Sequence, residues 1–206
     1  IERIPIESFF SIPEKTSFKI SPNGKYVAYI GIDNHCKNIF LLDLANKDSS
    51  KQLTYQNDIN VNSFVWGDNR EIIFSTEQTG NDSLRLYSVN IESESIKSLI
   101  KPVKARFRWV HPARIHDQAI VVAINQRDSS FFDLYKLFVD GRPPQMIFQN
   151  PGNINSWFMS NDGQVRLAMA NDSVEESLMY RANNNQAFKQ VLKNDFETTV
   201  IPMGFV

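Results

Sequence analysis

Two adjacent carboxylates, Glu175 and Glu176, form one of three groupings in this chain with the chemistry to make a site. A carboxylate pair can hold an ammonium group, because a cation taken out of water needs matched charge and acceptors. The pair directly precedes Ser177-Leu178-Met179-Tyr180, so it falls at a hairpin tip, where an acidic solvated loop is the competing reading. The second grouping is Arg106 and Arg108, which flank Phe107 and Trp109. Basic and aromatic residues interleaved in this way can bind nucleic acid. On a strand, however, alternation sends both arginines to one side and both rings to the other. That describes an amphipathic strand lining a polar channel, with a substrate-steering role open to the arginines. The third grouping is the histidines His35, His111 and His116. Zinc needs three or four converging ligands, and the chain has one cysteine and no H-E-x-x-H, so these read as turn and loop histidines. A Ser/His/Asp triad can be assembled on paper, but no G-x-S-x-G elbow supports it, and no catalytic residue, metal or cofactor is assigned.

Composition narrows the partners. The formal net charge is −1, which offers no basic excess to a nucleic-acid backbone or an anionic membrane. No apolar run approaches the roughly 20 residues that cross a bilayer as a helix. Cys36 is the sole cysteine, so no intrachain disulfide can form. This favours a reducing, cytoplasmic compartment, with the periplasm as the alternative. The chain starts Ile1-Glu2-Arg3-Ile4-Pro5, without an initiator Met or a signal peptide, and a processed or engineered start is expected.

The elements that must position these residues are short and repeated. Runs of Val, Ile, Phe and Tyr alternate with clusters of Asn, Asp, Ser and Gly, the pattern of strands and tight turns. In the first unit, Ser17-Phe18-Lys19-Ile20 leads into Ser21-Pro22-Asn23-Gly24, then Tyr26 to Ile30, Ile39 to Leu44 and Lys51 to Thr54. Pro at the second turn position and Gly at the fourth are type I turn chemistry. The order recurs from Phe64-Val65-Trp66, from Phe107-Arg108-Trp109 and from Trp157-Phe158-Met159 with its turn Ser160-Asn161-Asp162-Gly163. Gly24 and Gly163 lie 139 residues apart, three periods of about 46, within the range of four-stranded propeller blades. The second strand of a unit, such as Ala119 to Ile124, is apolar on nearly every residue and must be covered on both faces. The fourth, such as Lys97-Ser98 or Lys189-Gln190, is polar, as an outer edge should be.

The expected fold is therefore all-β: a partial β-propeller of the TolB or WD40-like kind, with about four four-stranded blades plus the first strand of a fifth. A β-sandwich or a pair of barrels is the rival architecture. A lead-in segment over 1–16 precedes blades at about 17–54, 61–100, 105–149 and 154–193, and residues 198–206 open the next unit. Four blades with a fifth begun are expected to be a fragment of a longer protein. Its cut faces should be apolar and prone to self-association.

The opening Ile4-Pro5-Ile6-Glu7-Ser8-Phe9-Phe10, then Pro13-Glu14 and Phe18-Lys19-Ile20-Ser21-Pro22-Asn23-Gly24-Lys25-Tyr26-Val27-Ala28, resembles the N-terminal propeller of the prolyl oligopeptidase group of serine peptidases. It is closest to the acylaminoacyl-peptidase and dipeptidyl-aminopeptidase-like branch. The S-P-D-G turn is shared with TolB-type propellers, and Asn23 here replaces the commoner Asp. The resemblance implies a parent peptidase whose chemistry sits in a C-terminal α/β-hydrolase domain. For this chain it implies a non-catalytic domain that limits access to short peptides. In some dipeptidyl peptidases of the group a propeller Glu pair holds the substrate amino group; Glu175-Glu176 lacks the surrounding motif. A protein-interaction platform of the TolB type is the alternative function. A carbohydrate-active or lactonase-type propeller needs acidic or metal clusters that the sequence does not supply.

Overall fold

The computed structural model describes residues 13–46, 50–78, 81–110, 113–172, 175–194 and 200–205, and among them there is no helix. The strands form four antiparallel sheets in chain order. The first holds β1 (Lys15–Ile20), β2 (Tyr26–Asp33), β3 (Cys36–Asp43) and β4 (Ser50–Gln52). The second holds β5 (Asn60–Trp66), β6 (Glu71–Gln78), β7 (Asn81–Asn90) and β8 (Ile96–Ser98), with β9 (Val103–Lys104) added to β7. The third holds β10 (Phe107–Trp109), β12 (Ala119–Asp128), β13 (Phe131–Phe138) and β14 (Gln145–Phe148), with β11 (Ile115–His116) added to β12. The fourth holds β15 (Ile154–Met159), β16 (Val165–Asn171), β17 (Glu176–Tyr180) and β18 (Lys189–Asn194). Within each sheet, successive strands are neighbours. This up-and-down order is that of propeller blades, and it excludes the Greek-key order of a sandwich.

The core lies between sheets. Ala28 and Ile30 of the first sheet meet Phe64, Ile72 and Phe74 of the second. Ile73 and Leu86 of the second meet Ile120, Val122 and Ile124 of the third. Val121 and Ala123, on the opposite face of β12, meet Trp157, Met159 and Ala168 of the fourth. A period-2 strand puts successive residues on opposite faces, so an unbroken apolar run is what a doubly covered strand requires. The outward face of the first sheet carries a ladder in which Phe18 stacks on Tyr29 and Tyr29 on Phe40, with ring centroids 5.3 and 5.5 Å apart. Phe18 there is 60% exposed.

The turns between first and second strands of the first and fourth sheets share one device. The Gly24 amide donates to the Ser21 carbonyl at 2.9 Å, and the Ser21 hydroxyl donates to Asn23 Oδ1 at 2.8 Å. In the fourth sheet the Gly163 amide donates to the Ser160 carbonyl at 3.0 Å, and the Ser160 hydroxyl donates to Asp162. Both glycines have positive φ, the conformation that favours Gly at this position. The third sheet departs from the pattern. Its connection carries β11, whose Ile115 amide donates to the Gly67 carbonyl of the second sheet at 2.7 Å. The Ile115 side chain presses on Gly67, and His116 presses on Gly163 of the fourth sheet. A Cβ on either glycine would come within 2.6–2.8 Å of those side chains.

β1 starts at Lys15, two residues before the expected first blade, and the lead-in motif Ile4–Phe10 lies outside the described residues. β9 and β11 have no counterpart in the four-strand expectation. Residues 200–205, expected to open a fifth unit, are not paired into a sheet; a strand is held only by a ladder to a neighbour. Asn161 Nδ2 reaches the Phe205 carbonyl at 3.5 Å.

Two outcomes follow. Phe74 is fully buried between the first two sheets, so Phe74→Ala should cost about 3–5 kcal/mol in denaturant unfolding. Phe18→Ala, on the open ladder, should cost about 1 kcal/mol or less; equal losses would contradict the assignment of the buried face. The Ser160 hydroxyl bond, aided by the Gln164 amide and Arg166, holds the Asp162 carboxyl below the usual carboxylate range. A carboxyl lowered on folding stabilises above its unfolded value, about 3.9, and that stability is lost as pH falls through the folded value. The stability gap between the protein and Asp162→Asn should therefore be full at neutral pH and close in acid. A gap insensitive to pH would contradict it.

Candidate functional site

Asn125, near the end of β12, is 9% exposed and fixes the start of the third sheet. Its amide donates to the Arg106 carbonyl at 3.1 Å, and its Oδ1 accepts from the Arg106 amide at 2.6 Å. Its Nδ2 donates to the Ser129 carbonyl at 2.9 Å. Arg106 is thus tethered by its backbone on both sides while its side chain stays exposed. That side chain edges a cleft of about 420 Å³, shared with Lys104 and Gln126. Gln126 also lines a larger cleft of about 750 Å³ between the outer parts of the second and third sheets. Its walls come from residues 98–103, from Tyr135 on β13, and from Gly141-Arg142-Pro143-Pro144, the loop entering β14. Burial first, and the nearby Asp133 second, push the Tyr135 phenol above its usual range, so it stays protonated and can donate.

Beside this groove is a second polar anchor. Asp133 has no exposed surface and takes a bidentate pair from Arg127, at 2.8 and 3.0 Å. It also accepts the Asn150 amide at 2.8 Å. Asn150 in turn binds the Phe132 and Ile154 carbonyls and the Gly152 amide, shaping the passage from the third sheet to the fourth. Asn38 has the same place in the first sheet: third residue of the third strand, buried, accepting the Gln56 amide at 2.7 Å and the Thr54 hydroxyl at 3.0 Å.

The residues singled out in the sequence are dispersed. Arg108 does not join Arg106 at the groove. Its Nη1 donates to the Asn155 carbonyl of the fourth sheet at 2.9 Å, and its guanidinium lies 4.2 Å from the Phe132 ring centre. The expected alternation is present, since Phe107 and Trp109 pack with the second sheet and Trp109 Nε1 donates to Ser63 at 3.3 Å. The side that Arg108 faces is a neighbouring sheet, because each face of a propeller strand looks at another blade. Glu175 forms an ion pair with Lys193 of β18 and raises that ammonium above its usual range. Glu176 is half-buried in β17, in register with Asn171 and Asn194. The ammonium group against Glu175 is the chain's own. His35 sits at positive φ in the β2–β3 turn, and His116 is in β11 with Nε2 buried and unpartnered. His111 lies outside the described residues. Among the described residues, no three His, Cys, Asp or Glu side chains converge as a metal site. Sequence reasoning missed Lys101, Lys104, Tyr135 and Arg142. The available signal was a cation beside proline on two facing loops, Lys101-Pro102 and Arg142-Pro143-Pro144.

No family model matches the chain. It is 21% identical to dipeptidyl aminopeptidase BIII of Pseudoxanthomonas mexicana over 81% of its own length and 24% of the relative's. It is 23% identical to dipeptidyl peptidase family member 6 of Caenorhabditis elegans over 94% of its own length and 27% of the relative's. The chain thus spans about a quarter of the length of these curated relatives. Among solved structures, the β-propeller domain of the Trilobed protease from Pyrococcus furiosus superposes with a TM-score of 0.62 at 19% identity, covering 87% of this chain and 57% of that one. An oligogalacturonate lyase in complex with manganese gives 0.64 at 12% identity, with 89% and 55% covered. TolB from Acinetobacter baumannii gives 0.51 at 17% identity, with 90% and 42% covered. The structures fix the fold and leave activity open, while the sequence matches are to peptidases. In sequence and fold together, the chain resembles the β-propeller of the prolyl oligopeptidase-type serine peptidases.

Proposed function

We propose that this chain is the propeller portion of a serine exopeptidase or oligopeptidase of the dipeptidyl or acylaminoacyl type. It is non-catalytic by itself and limits access of short peptides to an α/β-hydrolase domain of the same parent chain. One observation carries this reading: the likeness to dipeptidyl peptidases runs across 81–94% of a chain that has no nucleophile elbow among its eight glycines. The purified protein should release no chromophore from dipeptidyl or N-acyl-aminoacyl p-nitroanilides. The natural reading frame beyond Val206 should encode a G-x-S-x-G within a few hundred residues. Turnover by the pure protein, or absence of that motif, overturns the proposal.

The likeness to TolB favours a second reading, a protein-interaction platform. A stable partner captured by the intact propeller, in a gene without a hydrolase domain, would select it. Self-association belongs to the first reading. Phe18, Ile20 and Ile32 of the first sheet and Val191 and Leu192 of β18 are exposed apolar side chains. Sedimentation should show species larger than the monomer, weakened by Phe18→Ser with Ile20→Ser. A monodisperse monomer at tens of micromolar would exclude self-association.

A further inference from the structure

The groove between the second and third sheets combines exposed cations with apolar surface. We propose that it binds a short peptide segment bearing carboxylates. The two clefts meet at Gln126, and their volumes of about 750 and 420 Å³ match those of pockets for small ligands. Four cations open onto them: Lys101 and Arg142 on the outer cleft, Lys104 and Arg106 on the inner. Arg142 is already paired with Asp140 at 2.8 Å. Lys101, Lys104 and Arg106 are exposed and have no carboxylate partner among the described residues. No acidic side chain is among the described residues lining either cleft. In a protein whose net charge is −1, that is a local excess of one sign, and walls of low dielectric focus such a field.

The cations are mounted on rigid ground. Arg106 is clamped through its backbone to Asn125. Lys104 is in β9, in register with Ser83 of β7. Lys101 precedes Pro102, whose ring fixes φ. Backbone ordering then adds little to the cost of binding, which falls on the side chains. The outer cleft adds an apolar wall of prolines, with the Tyr135 hydroxyl as a donor. A bare anion has no use for that wall, and an uncharged peptide has no use for the cations. A segment alternating carboxylates with apolar side chains uses both.

The test does not read hydrolysis, so it stands or falls apart from the peptidase reading. Acetyl-Glu-Leu-Glu-Leu-Glu-amide is titrated into the protein by calorimetry at low and moderate salt, with the Gln-for-Glu peptide and citrate as comparators. The acidic peptide should bind at least tenfold more tightly than either comparator, and added salt should weaken it. The combined variant Lys101→Ala, Lys104→Ala and Arg106→Ala should lose tenfold or more in affinity while keeping its unfolding midpoint. Lys25→Ala, an exposed cation on the β1–β2 turn, should bind like the unchanged protein. The proposal is overturned if the acidic peptide shows no saturable binding up to millimolar concentration, or if citrate or the Gln peptide binds as well. Equal affinity in the folded combined variant overturns it too.

Discussion

Ile120, Val122 and Ile124 point from β12 into the second sheet while Val121 and Ala123 point into the fourth, so the third sheet has no broad face left for water. A thin sheet with two apolar faces must be sandwiched, and everything else accommodates that requirement. Long side chains then cross between successive innermost strands. Trp66 Nε1 donates to the Lys19 carbonyl at 3.0 Å, and the Lys19 ammonium, lowered by burial, returns to the Phe64 carbonyl at 2.6 Å. Trp109 reaches back to Ser63, and Arg108 reaches forward to Asn155. The pairs are 45–47 residues apart, one repeat. Each contributes a modest net energy, and together they fix how far one sheet turns relative to the next.

Buried polarity serves the same end at the other side of the first and third units. Asn38 and Asp133 spend their acceptors on backbone amides of the outgoing chain, the Gln56 and Asn150 N–H groups. Unpaired amides in such places are costly, so the route from one sheet to the next is determined. Arg181 completes the fourth sheet: it is 3% exposed, donates to the Val165 and Asn184 carbonyls, and lies 4.5 and 5.3 Å from the centres of Phe188 and Phe148. Aromatic faces and carbonyl dipoles there take the place of a carboxylate.

What the sequence disclosed was local, and what it concealed was long-range. Ser21-Pro22-Asn23-Gly24 and the unbroken Ala119–Ile124 run carry their geometry in adjacent residues, so turn, strand and period were readable. The clefts were not, because Lys101, Gln126, Tyr135 and Arg142 come from separate segments joined only when two sheets meet. Arg108 shows the limit within a single strand. Alternation told which residues share its side, but not that the side belongs to the fourth sheet. Glu175 had a legible chemistry and an illegible partner, since Lys193 comes from the next strand, β18, and meets it only when β17 and β18 pair.

Ile115 on Gly67 and His116 on Gly163 make two side chains of the third unit dictate the residue at one position in each neighbour. A duplicated array begins with interchangeable copies. Here the insertion between β10 and β12 has ended that equivalence, for a unit placed beside it needs a bare backbone at its first turn. The order of the units has become information in itself. Putting the fourth unit in the place of the second would set Ser160 where Gly67 stands, and leave Ile115 pressed against a neighbour unable to receive it.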